Sequence, residues 1–230
     1  IAESAFYGCT SLTTLSLPAN LKVLGQYAFG NISGLTKVTI NTAIAEIDYS
    51  NGAFASLNGN TYVRTLVLGP KVAVFDVNGV FGSTSLTSVE VDPSNPNYES
   101  VDGVLFNKGM TRIVYYPSGR AGAYVLPDSV EEIGAKVFYN NDNLTSITFG
   151  ANLTSIGEGA FQECDMLTEV IFENGEAGGT LAIGKKAFFR CQGLASITLP
   201  EGKAEITIGD EAFAGCSKIK TIVFPEGVTS

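Results

Sequence analysis

The side chains in this sequence best equipped for chemistry are its four cysteines, Cys9, Cys164, Cys191 and Cys216. A thiolate is a nucleophile and a metal ligand, but a zinc site needs close pairs of ligands. Separations of 155, 27 and 25 residues supply none. Each cysteine instead stands three residues after a phenylalanine, at Phe6, Phe161, Phe188 and Phe213, while Ile32, Thr84 or Asn141 fills the same place after Phe29, Phe81 and Phe138. A place that accepts Cys, Ile, Thr and Asn reads as a packing slot, where a free thiol behaves as a small buried hydrophobe. Stacked equivalents would bring Cys164, Cys191 and Cys216 into a column, near enough in principle for a disulfide. Parallel side chains in a stack seldom turn toward each other, so structural thiols are expected.

The other candidate chemistry is thinner. Histidine is absent, which removes the commonest general base and the usual activator of a serine nucleophile. The S-x-x-K match at Ser217–Lys220 runs into a strand pattern and lacks its S-D-N and K-T-G partners. Gly157-Glu158-Gly159 begins like a dinucleotide loop but lacks the third glycine and a long helix after it. Glu131-Glu132 sits in a turn, where a solvated face accounts for paired carboxylates. The oxygen-rich loop of Asp92, Ser94, Asn95, Asn97 and Asp102 fails as a calcium loop, because Pro96, Asn97 and Gly103 fall where a ligand, a glycine and a glutamate are required. No catalytic residue, metal or cofactor is expected, and the chain reads as a non-enzyme.

Composition bounds the rest. The 230 residues carry a net charge of −9, which opposes binding to nucleic acid or anionic membranes. With 45% hydrophobic and 16% charged residues, the chain can fill a core. No apolar run approaches the ~20 residues of a membrane-spanning helix.

What must position any site is a repeat. Ala5–Pro18, Ala187–Pro200 and Ala212–Pro225 share the template A-F-x-x-C-x-x-L-x-x-I-x-L-P. Weaker copies have their anchor at Phe29, Phe54, Phe81, Phe138 and Phe161, giving anchor spacings of 23, 25, 27, 57, 23, 27 and 25 residues. The 57-residue gap is two periods, so one repeat has lost its A-F pair. Nine copies of the L-x-x-I-x-L element can be laid out, at Leu12–Leu17, Leu35–Ile40, Val63–Leu68, Leu86–Val91, Thr111–Tyr116, Leu144–Phe149, Leu167–Phe172, Leu194–Leu199 and Ile219–Phe224. This period and leucine spacing are those of a leucine-rich repeat.

Within each repeat the last four residues of the element alternate outward and inward, as Ser146, Ile147, Thr148 and Phe149 do. A second short strand is expected after the following turn. Gly25, Gly134, Gly157, Gly184 and Gly209 lie three residues before the A-F pair or its equivalent, where a tight turn with positive φ is expected. The A-F-x-x-C segment is expected to be a short helical turn that drops its phenylalanine into the core. Around residues 92–126 the pattern breaks: Pro93 and Pro96 block regular structure, and Tyr98–Phe106 and Met110–Tyr116 read as the strands of a hairpin closed by Asn107-Lys108-Gly109. The reading is one solenoid over 1–230 with an irregular repeat, a boundary between two domains being the alternative. Both ends fall inside a repeat, so a fragment of a longer solenoid is expected.

The A-F-x-x-C-x-x-L-x-x-I-x-L-P template resembles the repeat of the BspA-like leucine-rich repeat proteins of bacterial surfaces. Val101–Lys108 followed by Tyr115-Tyr116-Pro117 is similar to that family's irregular unit. The resemblance covers essentially the whole chain. It implies a right-handed horseshoe or superhelix, β-rich with short helical turns and a parallel sheet on one face. It further implies export to the surface of an anaerobe such as a Bacteroides relative, and a role in adhesion, with no shared catalytic residues.

The surface left to carry function is the outward side of the repeated strand. Its two columns contain mostly serine and threonine, which also suit any exposed strand. Tyr115, with Arg112, Ile113 and Glu90 near it, reads as the anchor, flanked by Ser88, Ser146, Thr148 and Glu169. The expected function is a non-enzymatic recognition or adhesion module at the bacterial cell surface, binding a protein or glycan on a host or neighbouring cell. The alternatives are a structural spacer in a multidomain surface protein and a fragment of a carbohydrate-active enzyme.

Overall fold

The computed structural model describes residues 1–21, 25, 27–41, 63–75, 85–173 and 179–229, which leaves Phe54, Phe81 and Thr84 outside the described residues. The chain forms two compact units, Ile1–Lys108 and Gly109–Ser230. Among the described residues every regular element is a strand and there is no helix.

In the first unit, strands β1 (Thr14–Leu17), β2 (Lys37–Ile40), β3 (Thr65–Leu68) and β4 (Ser88–Val91) form one parallel sheet. The register stacks the repeats as the template requires, with Leu15, Val38, Leu66 and Val89 in one row and Leu17, Ile40, Leu68 and Val91 in another. Val38, Leu17, Leu68 and Val89 are fully buried, so these rows are the core. One repeat cannot bury its own apolar side; each row is shielded by the next.

The hairpin lies within the irregular stretch, but its turn is elsewhere. Strands β5 (Tyr98–Val101) and β6 (Val104–Asn107) pair antiparallel across Asp102-Gly103, at φ 49° and 78°. Two successive positive φ values match the twist of a two-residue hairpin, for which Asp-Gly is a preferred sequence. The hairpin also leans on β4: the Val89 amide donates to the Gly103 carbonyl at 2.8 Å, and the Ser100 hydroxyl donates to the Val89 carbonyl. It occupies hydrogen-bonding groups that an edge strand would otherwise expose.

The loop before the hairpin uses its oxygens internally. Asp92 Oδ1 accepts from the amide and hydroxyl of Ser94, and these bonds hold the Asp92 carboxyl below its usual pKa. Buried Asn95 accepts from the Asn97 and Tyr98 amides and donates to the Gly69 and Val72 carbonyls at 2.8 and 3.0 Å. Turn chemistry accounts for the composition that resembled a calcium loop.

In the second unit, β8 (Gly122–Val125), β10 (Leu144–Phe149) and β12 (Glu169–Phe172) make one parallel wall. Strands β14 (Ser196–Thr198) and β16 (Thr221–Val223) make a separate parallel pair. A second wall contains β7 (Arg112–Tyr115), β9 (Glu132–Ile133), β11 (Ser155–Ile156), β13 (Thr180–Ile183), β15 (Glu205–Ile208) and β17 (Val228–Thr229), all parallel. Ile113, Ile133, Ile156, Ile183 and Ile208 form its inward row.

The third wall corrects the expected helical turn. The A-F-x-x-C segments are overlapping β-turns with a left-handed residue two before and two after the anchor phenylalanine: Lys136 and Asn140, Gly159 and Glu163, Lys186 and Arg190, Glu211 and Gly215. Left-handed residues every four positions break a helix. They turn the amides of Lys136, Phe138 and Asn140 toward the next repeat, where they donate to the Glu158, Ala160 and Gln162 carbonyls at 2.8–3.0 Å. Gly159, Phe161 and Glu163 repeat the pattern onto Lys185, Ala187 and Phe189.

The glycines before the A-F pairs need a different explanation from the one expected. None of Gly25, Gly134, Gly157, Gly184 and Gly209 has positive φ. A Cβ on Gly157 would lie 2.6 Å from the Ala135 amide nitrogen, and one on Gly209 2.6 Å from that of Lys185. These glycines let the backbones of successive repeats approach.

Inside the third wall the anchor rings stack. Phe138, Phe161, Phe188 and Phe213 have successive centroids 4.5, 4.9 and 5.3 Å apart, with planes within 11° of parallel. The cysteine slot runs beside them: Cys164, Cys191 and Cys216 donate Sγ–H to the Phe138, Phe161 and Phe188 carbonyls at 2.9–3.0 Å. All four cysteines are free thiols, with Cys164 and Cys191 buried and Cys9 exposed. The neighbouring Cys164 thiol, then burial, raises the Cys191 pKa; the neighbouring Cys191 thiol, then burial, raises that of Cys216. A thiol-reactive disulfide reagent is therefore expected to modify Cys9 rapidly in the native protein and Cys164 and Cys191 only after unfolding. Rapid native labelling of Cys191 would contradict this packing.

Candidate functional site

The eight residues expected on one outward face are divided by the structure. Ser146, Thr148 and Glu169 do face outward together, with Ser146 paired to Glu169 and Thr148 to Ile171 across β10 and β12. Ser88 and Glu90 lie on β4 of the first unit, where Glu90 accepts from Lys37 at 2.8 Å across β3. Arg112 is exposed, but on the second wall, 3.3 Å from Glu132. Ile113 and Tyr115 are buried, at 0% and 3% exposure. Tyr115 is therefore not a surface anchor.

The cause is a shift of one wall. The leucine spacing aligns Thr111–Tyr116 with the first-wall strands, yet β7 pairs Ile113 with Ile133 of the second wall. Tyr115-Tyr116 is the missing anchor pair: the Tyr116 amide donates to Val137, as that of Phe138 does to Ala160, and the Tyr116 ring lies 4.8 Å from that of Phe138. The first-wall strand of this repeat is β8, which pairs Tyr124 with Ile147 and Val125 with Thr148. The sequence carries this strand where the repeat resumes after the loop of residues 117–122. Tyr124-Val125-Leu126-Pro127 matches the I-x-L-P ending of the template as Ile197-Thr198-Leu199-Pro200 does.

With β8 in place, the outward rows of the second unit are Ala123, Ser146 and Glu169, and beside them Val125, Thr148 and Ile171. Ser196 and Thr198 on β14 pair with Thr221 and Val223 on β16. Val125 is 65% exposed, Val223 50% and Ile171 40%. These are β-branched aliphatics held outward on hydrogen-bonded strands, a rigid apolar surface among hydroxyls. The side chains there offer apolar contact and hydrogen bonding. Among the described residues no group of three or more Cys, Asp or Glu side chains is placed to hold a metal.

Burial of Tyr115 has its own consequence. Removal from water raises the pKa of its hydroxyl above the ordinary 10.0, and the hydrogen bond with Ser118 offsets part of that rise. A raised tyrosine pKa gives stability that is complete below the unfolded value and lost as pH climbs from there through the raised folded value. Wild-type stability is expected to fall by up to about 1.4 kcal/mol per pH unit more steeply than that of Tyr115→Phe above pH ~10. Denaturant titrations of both proteins at rising pH check this; equal slopes would contradict it.

Comparison with known proteins agrees with this architecture. The sequence profile of the BspA type leucine rich repeat region matches residues 1–108 and 112–230, in six copies. A leucine rich cell surface protein from Faecalibacterium prausnitzii A2-165 is similar in structure, with TM-score 0.66 and 25% identity over 99% of this chain and 57% of that one. The pneumococcal vaccine antigen PcpA gives TM-score 0.65 and 24% identity over 100% of this chain and 60% of that one. A leucine-rich repeat protein from Eubacterium ventriosum gives 0.56 and 18%, over 99% and 71%. The chain thus spans 57–60% of the length of the first two. No curated protein matches it in sequence. Among the described residues no helix is long and apolar enough to cross a membrane. The repeat, its register and the profile match together place the chain in the BspA-type leucine-rich repeat family.

Proposed function

We propose that this chain is a non-enzymatic recognition module of a bacterial cell surface, binding a protein partner through the outward face of the β8, β10 and β12 wall. The observation that carries the reading is the exposed pair Val125 and Ile171, which flank Thr148 in one register row. Exposed aliphatics on a rigid sheet favour a protein surface, since apolar contact without water is what such a row supplies. A repeat array also presents a broad contact area suited to a protein partner. The surface location is supported by the family and by the F. prausnitzii structure, which is that of a cell surface protein. Adhesion to a host or neighbouring cell follows from such binding. Ser146, Thr148 and Glu169 belong to the proposed face, whereas Ser88 and Glu90 lie on β4 of the first unit and Arg112 on the second wall.

The test is capture on arrays of extracellular-matrix proteins and glycans, run with wild type and with Val125→Lys. Saturable binding to a protein, weakened at least about ten-fold (1.4 kcal/mol) by Val125→Lys, is expected. Binding confined to glycans would replace the protein partner by a sugar. Absence of binding on both arrays would leave the chain as a spacer between other domains.

A further inference from the structure

The outward face of the second unit is interrupted between β12 and β14. The template aligns Glu169–Phe172 with Ser196–Leu199, so the two strands are successive copies of one element. They nevertheless belong to separate sheets, and no backbone ladder joins them among the described residues. A groove of about 420 Å³ opens there, within the roughly 300–1,000 Å³ range of ligand pockets.

The opening reaches the core. Phe149 on β10 is fully buried, whereas its register partner Phe172 on β12 is half-buried and lines the groove. Ile171, Leu199 and Pro200 complete an apolar slot, and Ser196 and Thr198 place hydroxyls along one side. Among the described residues, Glu169 and Glu201 are the charged ones that line it, and both are exposed. An apolar slot lined by carboxylates and, among the described residues, by no cation fits a side chain with an aliphatic stem and a positive head.

We propose that this groove takes an arginine or lysine side chain from an exposed segment of the partner protein, its stem against Ile171 and Pro200 and its charge facing one of the two glutamates of the lining, Glu169 at one end or Glu201 at the other. The inference rests on the protein-recognition reading and locates its charge-selective point. The net charge of −9 favours approach of a basic segment in general, and the groove adds a defined place for one residue of it.

The test is an amide NMR titration of the full chain with the acetylated, amidated pentapeptide Ser-Gly-Arg-Gly-Ser, and with counterparts carrying citrulline or glutamate in place of arginine. The arginine peptide at up to about 10 mM, ample for a millimolar Kd, is expected to shift the amides of residues 169–172, 196–199 and 201. Citrulline, which keeps the shape and loses the charge, is expected to bind about ten-fold more weakly, as is the arginine peptide to the Glu169→Gln, Glu201→Gln double variant. Both glutamates are exposed, so the double variant is expected to fold. Equal binding of arginine and citrulline peptides, retention of binding by the double variant, or no shift at these amides would each overturn the proposal. If the groove stays silent while Val125→Lys still abolishes capture of a protein partner, the recognition face stands and only the groove assignment falls.

Discussion

Replacing Phe161 by alanine is expected to destabilise the protein by about 3–5 kcal/mol, the range for deleting a fully buried aromatic ring. Phe161 is at 0% exposure, and its ring is sandwiched between Phe138 at 4.5 Å and Phe188 at 4.9 Å. It also meets Phe149 of the first wall at 5.8 Å. Removing it leaves a gap bounded by stacked backbones. Those backbones are tied by the Phe161 amide to Ala187 and the Phe138 amide to Ala160, so the coils cannot close in around the gap. Phe6→Ala provides the contrast. Phe6 occupies the same template position and stacks on Phe29 at 5.2 Å, yet it is 44% exposed. Its loss is expected to cost no more than about 1.5 kcal/mol, because less area leaves water. Urea unfolding of both variants checks the pair, and a loss below about 1 kcal/mol for Phe161→Ala would show that the stack is not a main source of stability.

Where the template repeated closely, residue types were enough to read the structure. The inward rows of β10 and β12 follow from strict alternation in Leu144–Phe149 and its copies, because a one-residue slip would turn Ile147 and Phe149 to solvent. The cysteine slot was legible for a similar reason, since Cys, Ile and Asn at one position share little beyond size. The third wall was not legible. Its conformation depends on left-handed residues, and these are Lys136, Glu163, Lys186, Arg190 and Glu211 as well as Gly159 and Gly215. Side chains that ordinarily favour helices stand where a helix must break, so local preference misreports the fold and inter-repeat hydrogen bonds decide it. The error at Tyr115 had a related origin. Arg112-Ile113-Val114-Tyr115 has strand character on either wall, and alternation alone does not say which. Only the pairing of Ile113 with Ile133, and the stacking of Tyr116 on Phe138, tell the walls apart. The groove between β12 and β14 had no signal in residue type at all, since Ser196-Ile197-Thr198 alternates as its neighbours do.

Gly157→Ala is expected to cost about 1–3 kcal/mol, the range for forcing an extra methyl group into a packed interior, although the residue is only half-buried and its φ is not left-handed. The added Cβ would meet the Ala135 amide nitrogen at 2.6 Å, the Gly134 carbonyl carbon at 2.7 Å and the Ala135 Cα at 2.9 Å. All three are backbone atoms, so no side chain can rotate away to relieve the contact. Relief requires the two repeats to move apart, and that motion stretches the 2.8 Å hydrogen bond from the Gly157 amide to the Ile133 carbonyl and the 3.0 Å bond from Lys136 to Glu158. Gly134→Ala supplies the internal control. It stands at the equivalent position one repeat earlier, but its Cβ would meet the Ile113 carbonyl oxygen and a Val137 methyl at 3.2 Å, and shifts of a few tenths of an ångström absorb such contacts. Its expected cost is below about 1 kcal/mol. Were backbone conformation the reason for these glycines, both alanines would be nearly neutral, since neither position has positive φ. A clear difference in urea midpoint between the two variants, with Gly157→Ala the less stable, is therefore the result that assigns these glycines to the spacing between repeats.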